Sequence, residues 1–252
     1  MGKKGSSKKH IHNPALQYHL QTKKGDIGEY VILPGDPFRT DLIASFLDKP
    51  KLVAHNRELK TWTGYLDGVK VSVTSTGMGC PSAAIAVEEL IKCGAKTLIR
   101  VGTAGRVSKE SKNKKVDGVI CIGAVRDEYT SAQYVPSQFP ALADRHVVDA
   151  MVKAAKKFKY NYIEGITHCK DSYYGQVEPE TMPNYYELVE GYKIWEDAGV
   201  ACTEMETAII MVLASLRKCR AGSIMTFNDV TKSIKVVIEA IRTLIKEGKH
   251  EN

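Results

Sequence analysis

Apolar positions along this chain fall into short runs that alternate with longer amphipathic stretches. Glu29-Tyr30-Val31-Ile32-Leu33 reads as a buried strand, stopped by Pro34-Gly35-Asp36-Pro37. A helix follows to about Leu47, with Pro37 suited to its first turn. Trp62 to Tyr65 and Val69 to Ser75 predict a hairpin around Asp67-Gly68. The loop Thr76-Gly77-Met78-Gly79-Cys80-Pro81-Ser82 opens a helix whose Ala83, Val87, Leu90 and Ile91 share a face, with Gly94 at its end. The apolar run Thr97-Leu98-Ile99-Arg100-Val101-Gly102-Thr103-Ala104-Gly105 comes next and reads as a strand ending in a Gly-Thr-Ala-Gly turn.

Further on, Val116 to Arg126 predicts a strand, followed by a loop rich in Tyr, Pro and Ser. A helix from about Asp144 to Tyr160 leads to a strand from Tyr162 to His168, then an irregular loop over 170–184. Gly199 to Cys202 reads as a short strand, with a helix from Thr203 to about Arg217. A strand from Ala221 to Met225 precedes a last helix, in which Val230, Ile234, Val237, Ile238, Ile241, Leu244 and Ile245 share one face and Lys246 and Lys249 suit the C-terminal end. Strands alternating with helices predict an α/β fold, a mixed central sheet with helices on both faces. Without an internal repeat or linker, residues 13–252 read as one domain, preceded by a basic, disordered tail over 1–12. Ligands in such folds sit at the carboxyl ends of strands.

The bulk composition narrows the function classes. The chain has 252 residues, 43% of them hydrophobic, which supports a sizeable core without staples. Six cysteines, none in a C-x-x-C pair, suit a reduced, cytoplasmic protein rather than a disulfide framework or a zinc site. No apolar run is long enough to cross a membrane, and the basic N-terminus lacks an apolar signal core. The net charge is +7, four lysines of which lie in the tail; another basic run covers 109–115. Neither run is interleaved with aromatics as in single-strand binders, and a small anionic ligand accounts for the modest excess as well as nucleic acid does.

Candidate chemistry begins with Arg100. An apolar strand avoids a guanidinium unless a partner neutralises it, because an unpaired buried charge costs several kcal/mol. That partner is either an anion at the strand end, met by glycine backbone N–H groups and the Thr103 hydroxyl, or a carboxylate of the chain itself. Arg39, after the Gly35 turn, and Arg57, in His55-Asn56-Arg57-Glu58, add two more guanidinia suited to a tetrahedral oxyanion. A second cluster is Cys202-Thr203-Glu204-Met205-Glu206. Thr203 and Glu206 have capping-box spacing, so Glu206 either caps a helix or, among apolar neighbours, binds hydroxyls. A third is the loop carrying Tyr173, Tyr174 and Gln176, where an amide and an aromatic ring suit a planar heterocycle or simply face solvent.

Together these pieces resemble the hexameric nucleoside phosphorylase family over nearly the whole chain from about His19. The resemblance is carried, in order, by Pro-Gly-Asp-Pro-x-Arg at 34–39, His55-Asn56-Arg57-Glu58, Ser75-Thr76-Gly77-Met78-Gly79, Ala86-Val87-Glu88-Glu89-Leu90, Arg100 to Gly105, and Glu204-Met205-Glu206-Thr207-Ala208. Lys170-Asp171-Ser172-Tyr173-Tyr174-Gly175-Gln176, with Met182-Pro183, is similar to the family's uridine branch.

The resemblance implies phosphorolysis of uridine to uracil and ribose 1-phosphate, a pentosyl transfer in pyrimidine salvage. It implies phosphate held by Gly35, Arg39, Arg100 and Thr103, with Arg57 reaching the phosphate of a neighbouring subunit. Glu206 and Met205 would meet the ribose, and His19 the ribose of an adjacent subunit. Gln176, Tyr173, Tyr174 and Gly105 would meet the base. Arg100, Glu206 and Gln176 are the residues on which catalysis would rest. No organic cofactor or nucleophilic side chain is implied, and no metal beyond a monovalent cation near Glu58 and Ser75. The partners implied are nucleoside, inorganic phosphate and further copies of the chain, with a dimer as the smallest active unit within a hexamer.

Three departures stand against the family pattern. Val177-Glu178-Pro179 follows Gln176 without the arginine often found there, Ala104 replaces a second threonine, and Thr226-Phe227-Asn228-Asp229 runs almost straight into the last helix. The last of these keeps a non-catalytic nucleoside-binding protein as an alternative, beside a purine nucleoside phosphorylase. A hydrolytic nucleosidase of the same fold would not need three arginines.

Overall fold

The computed structural model describes residues 13–113 and 115–248. The expected tail, Lys114 of the basic run and Lys249 of the last helix lie outside them. In chain order the elements are β1 (Tyr30–Leu33), α1 (Pro37–Ala44), β2 (Asp48–Asn56), β3 (Leu59–Leu66), β4 (Val69–Thr74), α2 (Cys80–Lys92), β5 (Thr97–Thr103), β6 (Gly105–Arg106), β7 (Gly118–Asp127) and β8 (Ala141–Leu142). Then follow α3 (Arg145–Lys157), β9 (Tyr162–Lys170), α4 (Tyr174–Val177), α5 (Tyr185–Asp197), β10 (Cys202–Glu204), α6 (Thr207–Leu216), β11 (Arg220–Thr226) and α7 (Val230–Gly248).

All eleven strands among the described residues join one mixed sheet, in the order β2-β3-β4-β1-β5-β11-β7-β9-β10-β6, with β8 beside β7. The strand carrying Arg100 is central, parallel to β1 on one side and to β11 on the other. Beyond β11 the direction reverses, because β7 is antiparallel to it while β9 and β10 run parallel to β7. A single residue, Ala104, separates β5 from β6, yet β6 closes the far end of the pairing path against β10. The sheet therefore curls round on itself. The curl brings the carboxyl ends of β9 and β10 to the carboxyl ends of β1 and β5, although the two groups run in opposite directions.

Two apolar layers hold this sheet. On one face, α2 and α6 pack through Ala83, Val87, Leu90, Ile209, Ile210 and Leu213 against Val31, Leu98 and Met225. On the other, α1, α3 and α7 pack through Ile43, Val147, Met151, Ile234, Val237 and Ile241 against Ile32, Ile99 and Val101. Side chains alternate along a strand, so Arg100 projects from the same face as Leu98, towards α2 and α6. Both layers are fully excluded from water at their centres, and emptying one such Leu or Ile to Ala would cost about 2–5 kcal/mol. The β1–α1 junction is set locally: Asp36 accepts from the Phe38 N–H at 2.8 Å, and Pro37 takes the first helical position.

Several boundaries differ from the sequence pattern. The first helix stops at Ala44 rather than near Leu47. Residues 48–56 form an edge strand that periodicity does not mark, because Lys49, Pro50 and Lys51 leave it polar and exposed. The loop over 170–184 contains a short helix, and α5 follows it with no buried residue and hence no apolar stripe to read. The largest correction concerns 199–207. The strand spans 202–204 instead of 199–202, and the helix begins at Thr207, not Thr203. The last strand continues to Thr226, opposite Thr103 and Gly118, so only Phe227, Asn228 and Asp229 connect it to α7.

Candidate active site

A cleft of about 900 Å³ opens at these converging strand ends. Its first wall comes from two loops tied side by side: Thr76 N–H donates to Pro34 O at 2.9 Å, and Gly77 N–H to Gly35 O at 3.0 Å. The second wall is the β5–β6 corner, Gly102 to Gly105, and the third comes from Lys170, Tyr173, Gln176 and Val177 together with Thr203 to Glu206.

Arg100 lies at the bottom, 4% exposed. Its Nε donates to Glu204 Oε2 at 3.0 Å, and its Nη2 donates to Glu206 Oε2. The carboxylate explanation for a charge in this strand is therefore realised. It is incomplete, because Arg100 Nη1 is buried and has no partner among the described residues. Burial works against the Arg100 charge, but Glu206 and Glu204 outweigh it and raise its pKa. The guanidinium folds back over Gly102, where a Cβ would stand 2.9 Å from Nη2 and 2.9 Å from Met225 Sδ.

Glu206 is not a capping-box residue. Its Oε1 accepts from the Gly79 N–H at 2.6 Å, across the cleft floor. The helix start is secured instead by Glu204, whose Oε2 accepts from the N–H groups of Glu206 at 2.8 Å and Thr207 at 2.9 Å. Glu204 Oε1 is buried without a partner among the described residues. Burial raises the Glu206 pKa, Arg100 opposing and Glu204 adding to the rise. Gly79, at φ 89°, adopts a backbone conformation that other residues rarely take, and this turns its N–H towards Glu206.

Gly35, Arg39, Thr103, Ala104, Gly105 and Met205 also line the cleft. No hydrogen bond or ion pair holds the half-buried Arg39 guanidinium or the Thr103 hydroxyl among the described residues. Burial lowers the Arg39 pKa, partly offset by Asp36 and reinforced by Arg100, so two guanidinia share this end of the cleft.

At the other end stand Lys170, Gln176 and Tyr173, with Val177 where an arginine was looked for. Lys170 is buried and donates from Nζ to Thr203 Oγ1 at 2.9 Å. Burial lowers its pKa against the pull of Glu204. Thr203 Oγ1 lies 3.2 Å from Gln176 Oε1. The sequence assigned no role to Lys170 or Glu204, and offered Thr203 only as a helix cap. The argument that marks Arg100 also marks Lys170, a cation closing a buried strand.

Four expected residues do not line this cleft: Arg57, His19, Tyr174 and Ser75. Arg57 is exposed, with a φ of 54°. His19 Nδ1 sits 2.7 Å from Glu89 Oε1, whose carboxylate also accepts from the His19 and Leu20 N–H groups. Tyr174 is exposed and meets Tyr173 edge to face. The Ser75 hydroxyl is committed to the backbone, donating to Glu58 O at 2.6 Å and accepting from Lys60 N–H at 2.8 Å. Glu58 does reach the rim, with Ser82 Oγ 2.9 Å from its carboxylate. No cluster of three or more His, Cys, Asp or Glu suited to a metal occurs among the described residues, and no described helix is long and apolar enough to cross a membrane.

The cleft of this curled α/β sheet sets guanidinium nitrogens that are unpartnered among the described residues beside a buried carboxylate and an amide, chemistry suited to an anion next to a polar, hydroxyl-bearing ligand. The chain belongs to the phosphorylase superfamily, whose family model matches residues 29–245. It is 40% identical over 253 aligned residues to a uridine phosphorylase of Treponema pallidum, covering 94% of this chain and 97% of that protein. It is 42% identical to a uridine phosphorylase of Thermococcus kodakarensis, over 83% of this chain and 76% of that one. It is also 38% identical to a guanosine phosphorylase of Halorubrum lacusprofundi, over 84% and 83% of the two chains.

Proposed function

We propose that this chain is a pentosyltransferase that cleaves uridine by phosphorolysis. The observation that carries the reading is the pairing, in one cleft, of Arg39 and Arg100 Nη1 at one end with Lys170 and Gln176 at the other, the Glu206 carboxylate lying between. The uridine phosphorylases among its relatives support the choice of base.

Phosphate sits against Arg39, Arg100 and Thr103 at the Gly35 turn, and one of its oxygens attacks the anomeric carbon. The C1′–N1 bond breaks, its electron pair leaves with uracil, and the sugar becomes ribose 1-phosphate. Glu206 and Met205 hold the ribose. Gln176 reads the base edge beside Tyr173 and Gly105, and Lys170 faces the charge that develops on the departing base. Catalysis comes from positioning the phosphate and from stabilising the leaving anion. The co-substrate is inorganic phosphate, and no organic cofactor takes part.

The enzyme works as a single domain over 13–252, in the cytoplasm, where its six free thiols stay reduced. It acts as a homo-oligomer in which His19 and Arg57 serve the cleft of a neighbouring copy. The Glu58 carboxylate is the oxygen donor left open for a monovalent cation at that junction.

The test is uracil release from uridine with and without phosphate, with guanosine and inosine in parallel. Release that depends on phosphate and is confined to uridine is the expected result. Release without phosphate would make the chain a nucleosidase, and cleavage of guanosine alone would make it a purine enzyme.

A further inference from the structure

Behind the Gln176 end of the cleft lies a chain of polar groups that the reaction above does not use. His168 is 5% exposed and sits with Nε2 2.7 Å from Asp127 Oδ2. The other ring nitrogen, Nδ1, is 3.4 Å from Thr203 Oγ1. Trp195, on α5, lies against the imidazole, ring centroids 5.4 Å apart and planes inclined by 32°. His168 does not line the cleft itself.

The proton count along this chain is restrictive. The His168 contact holds the Asp127 carboxyl below the usual carboxylate range, so Asp127 accepts and His168 Nε2 carries a proton. Thr203 has one hydroxyl proton. It accepts from Lys170 Nζ, and two acceptors stand near enough to receive its proton: Gln176 Oε1 at 3.2 Å and His168 Nδ1 at 3.4 Å. His168 Nδ1 is left to face a lone pair of Thr203 Oγ1, because the nearer Gln176 Oε1 can only accept and so takes the hydroxyl proton. That donation fixes the Gln176 amide with Oε1 towards Thr203. Its Nε2, which has no partner among the described residues, then remains for the ligand.

We propose that His168 is a positioning residue for base selectivity: held by Asp127, it directs the Thr203 hydroxyl onto Gln176 and so fixes which end of the amide each edge atom of the base meets. This rests on the reading that Gln176 faces the base. Uracil presents N3–H between two carbonyl oxygens, which an amide of fixed orientation matches with its C=O and its N–H. Cytosine presents a bare N3 beside an amino group and needs the amide turned over. A locked amide thus rejects cytosine, and an unlocked one rotates to accept it.

The experiment measures the KM and kcat for uridine, the Ki of cytidine against uridine, and the phosphate KM, in the full-length enzyme and its variants. The ratio of cytidine Ki to uridine KM is expected to fall by about tenfold in His168→Ala, the scale of one lost discriminating hydrogen bond, with the phosphate KM unchanged. His168→Asn, whose amide can face Thr203 where Nδ1 did, restores part of the ratio. Should His168→Ala fail to fold, the near-isosteric Thr203→Val is expected to give the same fall. Gln176→Ala separates the two readings. If it changes the ratio while His168→Ala and Thr203→Val do not, His168 has no positioning role. If none of the three moves it, Gln176 does not read the base and both readings fall together.

Discussion

Arg100 and Glu204 are 104 residues apart in sequence and meet across the curled sheet, guanidinium Nε 3.0 Å from carboxylate Oε2, in a site where each keeps one further polar atom unpartnered among the described residues. The contact exists because β6 turns back onto β10 one residue after β5 ends. It gives Arg100 two tasks, neutralising buried carboxylates and facing the cleft. Arg100→Ala is therefore expected to raise the phosphate KM about 10–100-fold, the range of one charged hydrogen bond. It is also expected to lower stability by about 3–5 kcal/mol through the stranded Glu204 and Glu206 charges. Steady-state kinetics with urea unfolding checks both, and an unchanged phosphate KM would remove Arg100 from the anion site.

Gly102 separates those two tasks. A methyl group there meets the Arg100 guanidinium at 2.9 Å on one side and Met225 Sδ at 2.9 Å on the other. Gly102→Ala is expected to move the guanidinium and raise the phosphate KM about tenfold, equivalent to about 1.4 kcal/mol. The uridine KM is expected to stay within about twofold, since the end of the cleft proposed for the base is untouched. A larger rise for uridine than for phosphate contradicts the assignment of this corner to the anion.

Much of this site was legible in the chain because burial and charge conflict visibly at Arg100, and because the Gly35 and Gly77 turns follow apolar strands. The rest depends on contacts between distant segments. Thr203 and Glu206 have the spacing of a capping box, yet the helix begins at Thr207, because pairing of 202–204 with β6 and β9 outweighs the local preference. Glu204, one position from the residues singled out, takes over the helix start. α5 escaped notice because it buries no residue, and β2 because an edge strand with Pro50 and two lysines shows no alternation. Lys170 needed the fold to show that β9, which runs against β5, ends in the same cleft.

Glu206 carries the pH dependence. Its folded-state pKa is raised above the ordinary 4.5 by burial, with Arg100 opposing. A raised carboxyl pKa means the folded state binds its proton more tightly than the unfolded chain does. This contribution to stability is present at low pH and is lost as pH rises from 4.5 through the folded value. Under the proposed role of Glu206, in which ribose hydroxyls donate to its ionised form, activity is expected to follow the opposite course. The acid limb of kcat/KM is expected above pH 4.5, and Glu206→Gln should remove that limb and lower kcat about 10–100-fold. If Glu206→Gln altered only thermal stability, the carboxylate would have no part in the reaction.

Arg57 and His19 point to the last test, because neither lines the cleft of its own subunit. If each copy lends Arg57 to its neighbour, Arg57→Ala and Arg100→Ala damage different subunits of the same site. Each variant alone is expected to be nearly inactive at low phosphate. Dissociating the two, mixing them in equal amounts and reassembling them makes half of all dimers mixed, and one site of each mixed dimer then has both arginines intact. About a quarter of wild-type activity is expected to return under random pairing in a two-fold dimer. A mixture no more active than its components would mean that Arg57 acts within its own chain or not at all, and the case for a shared site would rest on His19 alone.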